Sequence, residues 1–114
     1  MTSLSVSVRE RHDRAVPSGA RGESVTVAVI GELDIATVPR FTARMGELVR
    51  RGHLRELVLD LSDLTFIDAG GLRALTELRL RIEQNEAVLI LDGVPAQMRR
   101  LIRIIGPARR FRIR

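Results

Sequence analysis

The sequence predicts an α/β domain in which a mixed sheet of four to five strands packs with about three helices, in the order β-β-α-β-α-β-α. Runs of apolar, often β-branched residues alternate along the chain with segments whose apolar residues recur every three or four positions. The length of 114 residues and the hydrophobic fraction of 45% suit one core. Strands that alternate with helices imply parallel inner strands joined by right-handed crossovers.

The first two strands are expected to form a hairpin. Leu4, Val6 and Val8 alternate with polar residues, which is typical of a half-exposed edge strand. Residues 16–24 are rich in Pro, Gly and Ser and predict a loop. Residues 24–31 are almost wholly apolar and predict a more deeply buried strand. We therefore expect the first strand to lie antiparallel at the edge of the sheet.

The first helix is expected between Thr37, which can cap it, and Gly52, which can end it. Pro39 falls in the first turn, where backbone N–H groups have no helical partner. Apolar residues at helical spacing predict its buried face, namely Val38, Phe41, Met45, Leu48 and Val49.

Two further strands are expected at residues 56–61 and 87–91, where apolar residues follow one another as in a strand covered on both faces. Between them, an Ala-Gly-Gly turn at residues 69–71 leads into the second helix. One face of this helix carries Leu72, Leu75, Leu78 and Ile82, and the solvated face carries Arg73, Glu77 and Arg81.

The third helix is expected from Pro95 to Gly106 and Pro107, with Met98, Leu101, Ile102 and Ile105 on its buried face. Residues 111–113 are expected to add a short strand or no regular structure. We place the domain at residues 1–106 and a basic C-terminal tail at residues 107–114.

The charge of the chain is concentrated at its C-terminal end. The net charge is +5, yet residues 1–92 carry 12 arginines against 14 acids, whereas residues 93–114 carry seven arginines and no acid. A solvated tail explains this better than nucleic-acid binding, because no aromatic platform or helix-turn-helix pattern accompanies the arginines. The chain has no cysteine and no long apolar run, so we expect a cytoplasmic protein without a membrane segment.

Enzyme chemistry is not predicted. The loops at residues 31–37 and 65–71 follow buried strands, where sites of α/β sheets gather. Asp34 and Asp68 could pair there for acid–base work or for a metal, but capping of helices or turns is the commoner role of such residues. His12 and His53 lie far from both loops in sequence and are expected at the surface. We predict no catalytic residue, no cofactor and no metal site.

The second loop, residues 65–71, instead suits close approach by a partner protein. Asp68 is a natural N-cap, and Ala69, Gly70 and Gly71 leave the backbone accessible. The glycines also suit tight packing of the helix on the sheet. A partner surface can press against such a shallow patch, so a binding role is favoured.

Two stretches, "VIGELDIATVPRF" and "ELVLDLSDLTFIDAGGLRAL", resemble the STAS domain of bacterial anti-sigma factor antagonists. The resemblance runs from about Val25 to Leu91 and implies a mixed sheet with helices. Members of this family bind an anti-sigma factor, often a serine kinase, and so release a sigma factor. The kinase phosphorylates a serine directly after the motif aspartate, and Ala69 stands at that position here.

The resemblance therefore implies an antagonist that is not switched by phosphorylation at the usual position. The implied partner-binding residues are Asp34, Thr37, Asp68, Ala69, Gly70, Gly71 and Leu72. A non-phosphorylatable scaffold, or a binder of nucleic acid or anionic surfaces through the C-terminal arginines, stays as the alternative. Homodimer formation is left open.

Overall fold

Six strands and three helices alternate along the residues that the computed structural model describes, which are 4–9, 22–105 and 111–114. Residues 16–21 of the loop predicted at 16–24 and the predicted helix end at residues 106–107 lie outside them, whereas residues 23 and 24 of that loop belong to the second strand. The elements are β1 (Leu4–Arg9), β2 (Glu23–Leu33), α1 (Val38–Arg50), β3 (Leu54–Asp60), β4 (Leu64–Ile67), α2 (Ala69–Gln84), β5 (Val88–Asp92), α3 (Ala96–Ile105) and β6 (Arg112–Ile113).

The strands form one mixed sheet in the order β1-β2-β3-β5-β6, with β4 paired to β2 outside this path. β1 is antiparallel to β2, and the other pairs are parallel. The predicted class is confirmed, with a strand count slightly above the four to five expected. The crossovers through α1, α2 and α3 step in the same direction along the sheet, so right-handed connections place these helices on one face.

The loop predicted at residues 65–71 needs a correction, because residues 65–67 belong to the strand β4. β2 has 11 residues, and its pairing with β3 ends at Ala28. The backbone groups of Gly31–Leu33 therefore need another partner, which β4 supplies in parallel. The sequence Leu-Thr-Phe-Ile does not alternate strictly between apolar and polar residues, so its pattern did not predict a strand.

The core lies between the sheet and the helices. β2 contributes its alternate residues Val25, Val27 and Val29, as a strand with one covered face does. β3 is buried at three consecutive residues, as predicted. The helices contribute Phe41 and Met45 from α1, Leu72, Leu75, Leu78 and Ile82 from α2, and Met98 and Ile102 from α3.

The last residues of the chain add a short strand. β6 pairs in parallel with β5, and the Phe111 side chain before it is buried in the common core. The guanidinium of Arg79, a buried residue of α2, lies 5.8 Å from the centroid of the Phe111 ring. The boundary between domain and tail at residues 106 and 107 stays a prediction.

Candidate functional site

Two loops meet where β2 and β4 leave the sheet. Because these strands are parallel, with Leu33 beside Ile67, the chain after each strand emerges at the same edge. The first loop, residues 34–37, leads into α1, and Asp68 alone separates β4 from α2. The sequence predicted both loops as sites, and the structure brings them together. We call residues 34–37 with Asp68–Gly71 the two-loop site.

The first loop is held by a reciprocal pair of side chains. Asp34 Oδ1 accepts hydrogen bonds from the backbone N–H groups of Ala36 at 2.9 Å and Thr37 at 3.0 Å. Thr37 Oγ1 accepts one from the Asp34 N–H at 2.9 Å and donates one to the Glu32 carbonyl at 2.9 Å. Both side chains are buried, so they shape the loop from within.

The predicted N-cap position of Thr37 is confirmed, but its side chain does not cap α1. Thr37 occupies the N-cap position, but its hydroxyl makes no hydrogen bond to the first turn of the helix. The hydroxyl is already committed to Asp34 and Glu32, and it is the Asp34 carbonyl that accepts a bond from the Val38 N–H at 2.9 Å. The predicted end of α1 is confirmed, since Gly52 follows the C-cap Arg51 with a φ of 72°.

Asp68 joins the two loops. Its Oδ1 accepts a hydrogen bond from the Gly71 N–H at 2.8 Å, which confirms the predicted N-cap of α2. Its Oδ2 accepts one from the Ile35 N–H at 3.2 Å. One carboxylate therefore starts the helix and fixes the position of the neighbouring loop.

The acidic residues of the site act as caps and bridges. Asp34 and Asp68 each accept two hydrogen bonds from backbone N–H groups. Among the described residues, no group of three or more His, Cys, Asp or Glu is placed to hold a metal ion. His53 is exposed, as expected, and His12 lies outside the described residues.

The three small residues after Asp68 differ in their surroundings. A Cβ added at Gly71 would overlap the carbonyl oxygen of Leu33 and lie 2.8 Å from Ile67 Cγ1, so only glycine lets α2 start this close to the sheet. A Cβ at Gly70 would lie 3.2 Å from Asp68 Oδ1, with no backbone overlap. Ala69 is exposed at the first position of the helix.

The exposed surface of the two-loop site is apolar and has few large side chains. Ile35 is 80% exposed at the tip of the first loop, next to the exposed Ala36. Ala69 is exposed on the facing loop, and Phe66, the second-last residue of β4, is 51% exposed. Leu72, which the resemblance also implies as a binding residue, is buried in the core. Sequence reasoning did not select Ile35 or Phe66, although large apolar residues beside polar turns were a visible signal.

Comparison with known proteins decides the family. The family described as "Mlab, STAS domain" matches residues 18–112 of this chain. The chain belongs to the STAS domain family. This STAS domain is 30% identical over 80 residues to an anti-sigma-B factor antagonist of Staphylococcus aureus (strain NCTC 8325), which covers 70% of this chain and 73% of that protein.

Solved structures of STAS proteins share the fold. An anti-sigma factor antagonist from Mycobacterium paratuberculosis superposes with a TM-score of 0.77 at 23% identity, over 97% of this chain and 85% of that one. The anti-sigma factor antagonist SpoIIAA in its unphosphorylated form gives a TM-score of 0.63 at 21% identity, over 80% of this chain and 78% of that one. The resemblance stated from the two sequence stretches is confirmed.

Membrane association through a spanning helix finds no support in the part of the chain that the structure describes. None of its three helices combines the length and the apolar character that a bilayer crossing requires.

Proposed function

We propose that this STAS domain is an anti-sigma factor antagonist that binds a kinase-type anti-sigma factor through the two-loop site and thereby frees a sigma factor. The observation that carries the proposal is the double hydrogen bond of Asp68, which holds Ile35 and the start of α2 in one surface. The names of the Staphylococcus and Mycobacterium relatives support the same role.

The composition of the surface suits protein binding. The exposed groups at its centre are the side chains of Ile35, Ala36 and Ala69, next to the half-buried Gly70. Small side chains let a partner approach the backbone, and burial of the Ile35 side chain would stabilise a complex by about 2 kcal/mol. The carboxylates beneath are engaged with backbone N–H groups, so docking need not desolvate an unpaired charge.

Because residue 69 is alanine, we expect the antagonist to bind its partner constitutively. A serine there would be exposed at the first position of α2 and open to a kinase. Its phosphate would add about −1.5 to −2 charges next to the like charge of Asp68, and burying it against an apolar partner surface would carry a desolvation cost. Alanine has no hydroxyl, so this route to release is closed.

Nearby hydroxyls are poor substitutes for the missing serine. The Thr65 hydroxyl donates a hydrogen bond to the Gly31 carbonyl at 2.9 Å. The Ser62 hydroxyl donates one to Asp60 Oδ1 at 2.6 Å, beyond the other end of β4. Both lie on the far side of Asp68 in sequence from the position that the family phosphorylates. We therefore propose that the antagonist is not switched at this loop.

The test compares the chain with A69S and A69E as baits in a lysate of the source bacterium, with and without ATP. We expect the unchanged chain to capture a kinase-type anti-sigma factor whether or not ATP is present, and ATP to release only A69S. A69E should lose the partner yet keep its fold, because a negative charge at a helix N-terminus is favourable by about 0.3–1 kcal/mol.

A43E is the matched control, because Ala43 is an exposed residue of α1 and receives the same substitution away from the two-loop site. A43E should bind as the unchanged chain does. Capture of no anti-sigma factor by the unchanged chain would reject the function. Capture by A69E at the level of A43E would reject the two-loop site as the interface.

A further inference from the structure

A concave surface lies between β4 and α3, beside the two-loop site. It is a cleft of about 150 Å³. Its wall on the β4 side includes Leu64, Phe66 and Ile67, and its wall on the α3 side includes Gln97, Met98 and Leu101. The lining is mostly apolar, with Phe66 half exposed at the cleft.

The apolar surface of the cleft continues along α3. Ile104 is 80% exposed, and it lies three residues after Leu101, so the two side chains are neighbours on the helix surface. Arg100 is exposed, lies three residues after Gln97 and four before Ile104, and therefore flanks the same stripe. We call the cleft with Phe66, Arg100, Leu101 and Ile104 the α3 groove.

The charge of α3 has one sign. Arg99, Arg100 and Arg103 are exposed, and the ten residues of the helix include no acid. An apolar groove beside such a row of guanidinium groups is complementary to a helix that carries leucine-type residues on one face and carboxylates on the next.

We propose that the α3 groove binds an acidic amphipathic helix of a protein partner. An apolar side chain of that helix enters the cleft against Phe66 and Leu101, and its carboxylates meet Arg100 and the neighbouring arginines. The concave cleft favours a peptide, whose apolar side chain can enter it, over an anionic membrane. The α3 groove adjoins the two-loop site, because Ile67 lines the cleft and also packs against the position of Gly71.

The probe is a fluorescein-labelled helical peptide of about 16 residues, with leucines at positions i, i+3, i+4 and i+7 and glutamates on the flanking positions. One twin replaces each glutamate by lysine, and another replaces each leucine by serine. Binding is measured by fluorescence anisotropy at low salt, and the binding surface is mapped by amide chemical shifts of the ¹⁵N-labelled chain.

We expect the acidic peptide to bind at least about tenfold more tightly than either twin and to shift the amides of β4 and α3. F66S and R100E should each weaken binding about fivefold or more, as loss of a central anchor or of a facing charge does. L80S and R44E are the matched controls, because Leu80 and Arg44 are exposed residues of α2 and α1. Both controls should bind like the unchanged chain.

The proposal is overturned if the acidic peptide and its lysine twin bind equally, or if the shifts map away from the α3 groove. Binding to phosphatidylglycerol vesicles, with no binding of the acidic peptide, would replace the helical partner by a membrane. The amide spectrum of each variant shows whether it is folded. These outcomes do not depend on whether an anti-sigma factor is captured, so the two proposals fail independently.

Discussion

Replacement of Gly71 by alanine tests whether close packing at the start of α2 holds the two-loop site together. The added Cβ would overlap the Leu33 carbonyl oxygen and crowd Ile67. Leu33 O also accepts the Asp68 N–H at 3.3 Å, so the collision cannot be relieved without moving the β2–β4 pairing. The same movement would strain the cap between the Gly71 N–H and Asp68.

The cost follows from these contacts. Overpacking against a backbone atom costs up to about 3 kcal/mol, and loss of the cap adds about 1 kcal/mol. The higher helix propensity of alanine offsets at most about 1 kcal/mol of this cost. We expect G71A to lower the free energy of unfolding by about 3 kcal/mol, which corresponds to a fall in Tm of about 12 °C for a domain of this size.

G70A is the matched control in this experiment. Its Cβ would lie 3.2 Å from Asp68 Oδ1 and 3.7 Å from the Ile35 Cα, with no overlap of backbone atoms. Its free energy of unfolding should stay within about 1 kcal/mol of that of the unchanged chain. Urea denaturation followed by circular dichroism measures both variants. The packing argument fails if G71A is as stable as G70A.

Two further substitutions probe the loop and the C-terminal strand. T37V removes the hydroxyl that accepts the buried Asp34 N–H and should destabilise the domain by about 1–3 kcal/mol, whereas T37S keeps the bond and should recover most of that loss in the same urea assay. A T37V variant as stable as T37S would show that the hydroxyl is dispensable. F111A removes a buried ring under Arg79 and should cost about 3 kcal/mol, whereas I113A, at a side chain 42% exposed, should cost less than about 1 kcal/mol. Equal Tm values for F111A and I113A would contradict the contribution of the buried Phe111 ring to stability.

Local patterns in the sequence were sufficient for most elements. Periodicity predicted the three helices and the inner strands, because each helix buries one stripe and each inner strand is continuously apolar. The N-cap role of Asp68 was also visible, since the residues it contacts in α2 follow it within three positions. The two stretches that resemble the family also predicted the STAS fold.

Contacts between distant parts of the chain needed the tertiary structure. The sequence of β4 lacks the alternation that would predict a strand, and it forms one because the end of β2 offers backbone groups that β3 does not pair. Residues 111–113 predicted a short strand or nothing, and only the structure shows that β6 pairs with β5 and that Phe111 reaches the core. Thr37 was predicted to cap α1, but its hydroxyl instead accepts a hydrogen bond from the Asp34 N–H and donates one to the Glu32 carbonyl.

The sequence by itself therefore determined the class of fold, the helices and the position of both loops, because these depend on neighbours within about one helical turn or one strand. Only the tertiary structure decided that Asp68 reaches Ile35 across 33 residues and that Gly71, but not Gly70, abuts the Leu33 carbonyl. Such contacts depend on how the sheet brings separate strands side by side, and no local sequence pattern predicts which distant residues come into contact.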